Sequence, residues 1–144
     1  MSARASALGA LLLLSLAFAA ACGVEQKRSG LPVEAQAAID GVTGDLSRAD
    51  YEKIYADAAE EWRRTASADE SRANLERIRN ALGGVLSRAQ FGAQERDARE
   101  GRTLVVSYNT KFERADAIET FTLIERAGRW RLARYAVNSN ALKQ

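Results

Sequence analysis

The sequence predicts an α+β fold, with about three N-terminal helices packed on one face of an antiparallel sheet of about four strands. Three observations predict it. Apolar residues recur at helical spacing from Tyr51 to Trp62, Gly83-Gly84 then interrupts the helical pattern, and from Val85 the apolar period becomes 2. The last two alternating runs are joined by the tight-turn sequence Arg126-Ala127-Gly128-Arg129.

The elements follow in chain order. Pro32 suits the first turn of a helix, where its missing N–H does no harm, and Glu34–Ile39 continue helically. Gly41 and Gly44 weaken this helix, so the sequence leaves its extent open. A second helix is expected from Ser47 as N-cap, with Asp50 three residues on in an acidic variant of the capping box. Tyr51, Ile54, Tyr55, Ala58, Ala59 and Trp62 form its single apolar stripe, and Glu60 and Arg64 pair on the other side. Ser67 or Asp69 caps a third helix, which buries Leu75, Ile78 and Leu82 and stops at Gly83-Gly84.

Val85–Glu95 reads as the first strand. In Arg102–Phe112, Leu104, Val106, Tyr108 and Phe112 share one face, with Thr103, Ser107, Asn109 and Lys111 on the other. Ala117–Arg126 places Glu119, Phe121, Leu123 and Glu125 on one face, and Ile118, Thr120, Thr122 and Ile124 on the other. Trp130–Val137 mixes polar and apolar positions, and a bulge there would re-aim Tyr135. Trp62 and Trp130 are core candidates, Trp130 together with Leu132.

Ahead of the domain, Leu8–Cys22 reads LGALLLLSLAFAAAC, preceded by a short start whose only charged side chain is Arg4. That layout is a secretory signal, and the run falls short of the roughly 20 apolar residues needed to span a bilayer. The small residues Ala20 and Ala21 before the only cysteine, Cys22, resemble the lipobox of bacterial lipoproteins, although Ala19 stands where leucine is most frequent. The resemblance implies cleavage before Cys22, lipidation of its thiol and acylation (palmitate or similar) of the new amine. The alternative is an ordinary signal cut after an Ala-x-Ala, which leaves a lone thiol near the mature terminus. Gly23 after the cysteine resembles the signal for outer-membrane delivery, so the expected location is the cell envelope, on the outer membrane facing the periplasm. The expected organisation is a signal peptide at 1–21, a lipidated tether at 22–32 and a single α+β domain at 33–144.

Composition narrows the function. Arg4 leaves with the signal, so 20 of the 21 Lys and Arg remain against 19 acids, and no basic bias points to nucleic acid. The chain has no histidine, which removes histidine bases, Ser-His-Asp and Cys-His catalysis and His-ligated metals. No glycine-rich phosphate loop is present. No cofactor, no metal site and no catalytic residue is assigned.

The residues also resemble a family. Leu82-Gly83 with Ser87-Arg88, then Tyr108-Asn109-Thr110-Lys111-Phe112, Glu119-Thr120, Gly128-Arg129-Trp130-Arg131 and Tyr135 follow one another as in the bacterial domain-of-unknown-function family 4019. More broadly the chain resembles the nuclear-transport-factor-2-like (cystatin-like) cone of helices on a curved sheet. That resemblance covers about residues 48–137 and implies a pocket between sheet and helices. Some such pockets house carboxylate-and-tyrosine enzymes such as ketosteroid isomerase.

Tyr108, Glu119, Trp130 and Tyr135 are the candidate pocket residues. Arg88 is a candidate anion contact, with a salt bridge to Asp97, Glu95 or a helix acid as the alternative. Arg126, Arg129, Arg131 and Arg134 gather near the last hairpin, where they would meet anionic headgroups or simply face water. The expected function is a lipid-anchored envelope protein whose domain binds a small apolar ligand or an envelope protein. A homodimer through the exposed sheet face is a further expectation. The alternative is a small isomerase- or hydrolase-type enzyme using Glu and Tyr as acid–base groups.

Overall fold

A computed structural model describes residues 30–99 and 101–143. The expected signal at 1–21, Cys22 and most of the expected tether therefore lie outside the described residues. Four helices, α1 (Val33–Arg48), α2 (Tyr51–Asp57), α3 (Glu60–Thr65) and α4 (Ala68–Leu82), precede four strands, β1 (Val85–Ala98), β2 (Gly101–Phe112), β3 (Asp116–Arg126) and β4 (Arg129–Asn138). A short 3-10 turn follows at Asn140–Leu142. The strands form one antiparallel meander in the order β1-β2-β3-β4. No helix among the described residues is long and apolar enough to cross a membrane.

The helices depart from expectation in two places. First, α1 runs through Gly41 and Gly44 to Arg48, so Ser47 lies inside it, where its hydroxyl bonds the Gly44 carbonyl at 2.7 Å instead of capping α2. Burial of Ala35 and Ile39 outweighs the weak helix propensity of glycine. Ala49 ends α1 in the left-handed conformation at φ 59°, and the backbone N–H of Asp50 returns to the Asp45 carbonyl at 2.9 Å.

Second, the stripe from Tyr51 to Trp62 is carried by two helices, because Ala58 and Ala59 are extended. The break is imposed from outside. The Ala59 N–H donates to the Leu132 carbonyl on the open side of β4 at 2.8 Å. Arg63 meanwhile collects the carbonyls of Ala56 and Ala58 at 3.1 and 2.7 Å. The stripe still faces inward: Tyr51, Ile54, Ala58, Ala59 and Trp62 are all buried. Ser67 caps α4 in a full capping box with Glu70, and Trp62 Nε1 donates to the buried Ser71 hydroxyl at 3.0 Å, fixing α3 against α4.

The sheet follows its alternation closely. Leu104, Val106, Tyr108, Thr110 and Phe112 of β2 face the helices, with Ala117, Glu119, Phe121 and Leu123 of β3 beside them. In β4 the register shifts between the Thr122–Arg134 and Leu123–Leu132 pairs, leaving Ala133 as an extra residue. That bulge brings both Leu132 and Tyr135 to the packed face. The main core joins α1, α2, α3 and Leu75 of α4 to this face, including Trp130 and Leu132. A smaller cluster of Ile78, Leu82, Phe112 and Ala117 lies at the other end, and Tyr135 packs against both.

Two turns test this backbone. Ala127 (φ 52°) and Gly128 (φ 75°) form the β3–β4 turn with positive φ at both central residues, as in a type I′ hairpin. Ala127→Asn should stabilise the protein by about 0.5–1 kcal/mol in urea unfolding. Gly101 (φ 127°) packs so closely that an added Cβ would lie 2.1 Å from the Glu125 carbonyl oxygen. Gly101→Ala should cost at least about 2 kcal/mol. Equal stability of wild type and either variant would contradict these turn geometries.

Candidate functional site

Glu119 is a charged residue in the middle of an apolar sheet face, with 0 % exposure. Its alternation with Phe121 and Leu123 forces it inward, opposite Tyr108 of β2 and Val137 of β4. Four donors meet its carboxylate. Arg88 of β1 donates from Nε to Oε2 at 2.5 Å and from Nη2 to Oε1 at 3.1 Å. Thr110 of β2 donates to Oε2 at 2.5 Å, and Tyr135 of β4 donates to Oε1 at 2.6 Å. Each carboxylate oxygen thus accepts two hydrogen bonds, so all its lone-pair directions are occupied. Every strand contributes one member of the cluster.

The salt bridge foreseen for Arg88, to Asp97, Glu95 or a helix acid, is made instead to a strand acid, Glu119. Its guanidinium holds Glu119 bidentately through Nε and Nη2, while Glu95 pairs with Arg102 at 3.1 Å. Thr110 was missed. Its signal was available, because it stands between Tyr108 and Phe112 on an otherwise apolar face.

Tyr135 packs its ring on Phe121 at a centroid distance of 5.0 Å, and Phe121 meets Tyr108 edge-on at 5.7 Å. Burial, reinforced by the neighbouring Glu119 charge, raises the Tyr135 pKa well above its ordinary value. Its proton is committed to Glu119. Tyr108 also has a raised pKa, chiefly from burial and secondarily from Asp40, and its hydroxyl turns toward Gln36 of α1.

A cavity of about 270 Å³ opens beside this cluster, between α1, α2, α4 and the start of β1. Leu46, Tyr51, Leu75, Ile78 and Phe112 form its walls, and Arg79, Arg88 and Tyr135 supply polar edges. Of the candidate residues, Arg88, Glu119 and Tyr135 therefore come together. Tyr108 adjoins them through the sheet without bordering the cavity. Trp130 lies apart, at a separate hollow of about 210 Å³ with Asp45 and Lys53. A larger trough of about 550 Å³ is shallow and polar, bordered by Asn109, Lys111, Asp116 and Lys143. Among the described residues no group of three His, Cys, Asp or Glu gathers as metal ligands.

Comparison with known proteins gives a family match and similarities to solved structures. The family model described as "Protein of unknown function (DUF4019)" matches residues 41–135. The crystal structure of a scytalone-dehydratase-like protein from Novosphingobium aromaticivorans is similar at 14 % identity and a TM-score of 0.45, over 74 % of this chain and 82 % of that one. No curated protein matches.

Alkaline pH tests the Tyr135–Glu119 bond. A folded-state pKa raised above the ordinary tyrosine value of about 10 contributes stability below that pH, and the contribution is lost as pH climbs past it. Tyr135→Phe should lower stability by about 1.5–3 kcal/mol at neutral pH, the usual worth of a hydrogen bond to a charged group. Between about pH 8 and pH 11 the variant should then lose less stability than wild type. Parallel curves for the two proteins would remove Tyr135 from the cluster.

Proposed function

The chain belongs to the DUF4019 family of proteins of unknown function, and on that footing we propose that it is an exported, lipid-anchored envelope protein whose α+β domain binds a small, mainly apolar ligand in the cavity beside Arg88 and Tyr135. The observation that carries the binding role is that cavity of about 270 Å³, apolar along its walls and polar at one end. The saturation of Glu119 supports binding over acid–base catalysis: a general base needs a free lone pair within reach of substrate, and here all are engaged.

The anchor rests on the apolar run ending in Ala20-Ala21-Cys22. Lipidation of Cys22 by several acyl chains, each buried methylene contributing about 0.8 kcal/mol, would hold the domain durably at a membrane. Outer-membrane delivery facing the periplasm follows from Gly23 in the same reading.

Two measurements test the two halves separately. The intact mass of the protein from a membrane fraction should equal residues 22–144 plus acyl chains, and Cys22→Ser should abolish that species. An unmodified chain in the medium would overturn the anchor. For the cavity, ligand-observed NMR of the full chain in lipid nanodiscs should detect at least one of octanoate, 1-octanol and octylamine. Val85→Trp, at the 37 % exposed cavity mouth, should abolish the signal. Binding of none of the three, or binding indifferent to the plug, would overturn the binding role.

A further inference from the structure

Two cations, Arg79 and Arg88, and two phenols, Tyr51 and Tyr135, border the cavity, and no acid does; the Tyr135 proton is already committed to Glu119. Arg88 spends Nε and Nη2 on Glu119, which leaves Nη1 without a protein partner among the described residues. Arg79 reaches from α4 to the C-terminal end of α1, where its Nη1 bonds the carbonyls of Leu46 and Ser47 at 3.1 and 3.3 Å. Its other terminal nitrogen has no such bond.

Tyr51 is the third group. Its ring is buried against the core and borders the same cavity, while its hydroxyl makes no hydrogen bond to the described residues and stays accessible. That hydroxyl is open to solvent at the cavity, so it can donate to a molecule held there at no cost to a bond within the protein. Burial raises the Tyr51 pKa, Arg79 opposes that rise and Glu76 adds to it, so at neutral pH the group is a donor. The other hydroxyls on this wall are already engaged: Thr43 bonds the Asp40 carbonyl and Ser47 the Gly44 carbonyl. The nearby acids stand outside the lining, Glu113 against Gly83 and Gly84, and Glu76 near Tyr51.

We infer that the ligand is an apolar monocarboxylate, its carboxylate received by the Tyr51 hydroxyl and the free edges of Arg79 and Arg88, its body lying against Leu75, Ile78 and Phe112. A neutral ligand would leave two guanidinium edges without an acceptor, and an ammonium would meet like charge. A dianion would exceed the positive charge on offer, because Arg88 is already balanced by Glu119. Glu119 is then a positioning residue: it fixes the Arg88 plane so that Nη1 is presented to the cavity. This inference rests on the cavity being a binding site.

The experiment is calorimetric titration of the full chain in lipid nanodiscs with octanoate and with 1-octanol, corrected by titration of empty discs. Octanoate should bind at least about tenfold more tightly than 1-octanol, the scale of a hydrogen-bonded charge. Tyr51→Phe removes no hydrogen bond within the protein and should weaken octanoate roughly fivefold to tenfold while leaving 1-octanol unchanged. Arg79→Gln should act in the same sense. Equal affinity for the two probes, or a Tyr51→Phe variant that binds octanoate like wild type, would overturn the carboxylate class and leave the cavity's binding role intact. Binding of neither probe would overturn the carboxylate class, and failure of octylamine to bind as well would overturn the binding role with it.

Discussion

One buried carboxylate organises this sheet. Removing an ionised carboxylate from water costs several kcal/mol even after the protein relaxes around it. Glu119 therefore persists at the centre of an apolar face only because four donors offset that cost. Those donors come from β1, β2 and β4, so the cluster fixes the lateral order of the whole meander. A slip of β1 or β2 by one residue would turn Arg88 or Thr110 to the opposite face and strand the charge. The bulge at Ala133 belongs to the same constraint, since it returns Tyr135 to the packed face three residues after Leu132 has occupied it.

The same cluster shapes the surrounding chemistry. A saturated carboxylate is a structural anion, and Tyr135 is held as its donor. The groups left for an outside molecule are the unused edge of Arg88, the side chain of Arg79 and the unpaired hydroxyl of Tyr51. All three are donors. A cavity with donors at one end and aliphatic and aromatic walls elsewhere suits an amphipathic acceptor, and it offers no free base to move a substrate proton.

Much of this was legible in the sequence, where local pattern and tertiary demand agree. Gly83-Gly84 and the switch to period 2 mark the passage from helices to sheet because a helix stop and strand alternation are both local signals. Glu119 was readable as inward-facing from its phase with Phe121. Its partner was not: Arg88 lies 31 residues away, and the register that joins them passes through two irregularities in β1. The break at Ala58–Ala59 was hidden for a different reason. Alanine is the best helix former, and only the Leu132 carbonyl on the edge of β4 gives those residues a reason to extend. The cavity was foreshadowed only by the family resemblance and not by any local pattern, because a void exists only where three helices and a sheet fail to fill the space between them.

The most direct test of the central claim is a double-mutant cycle on Arg88 and Glu119, read by equilibrium unfolding. Arg88→Met and Glu119→Leu should each destabilise strongly, by about 3–5 kcal/mol for Arg88→Met, which leaves a buried charge unpaired. The double variant should recover much of that loss, with a coupling energy of about 2 kcal/mol or more. Additive effects of the two substitutions would contradict the account, because they would mean that Glu119 and Arg88 do not depend on one another.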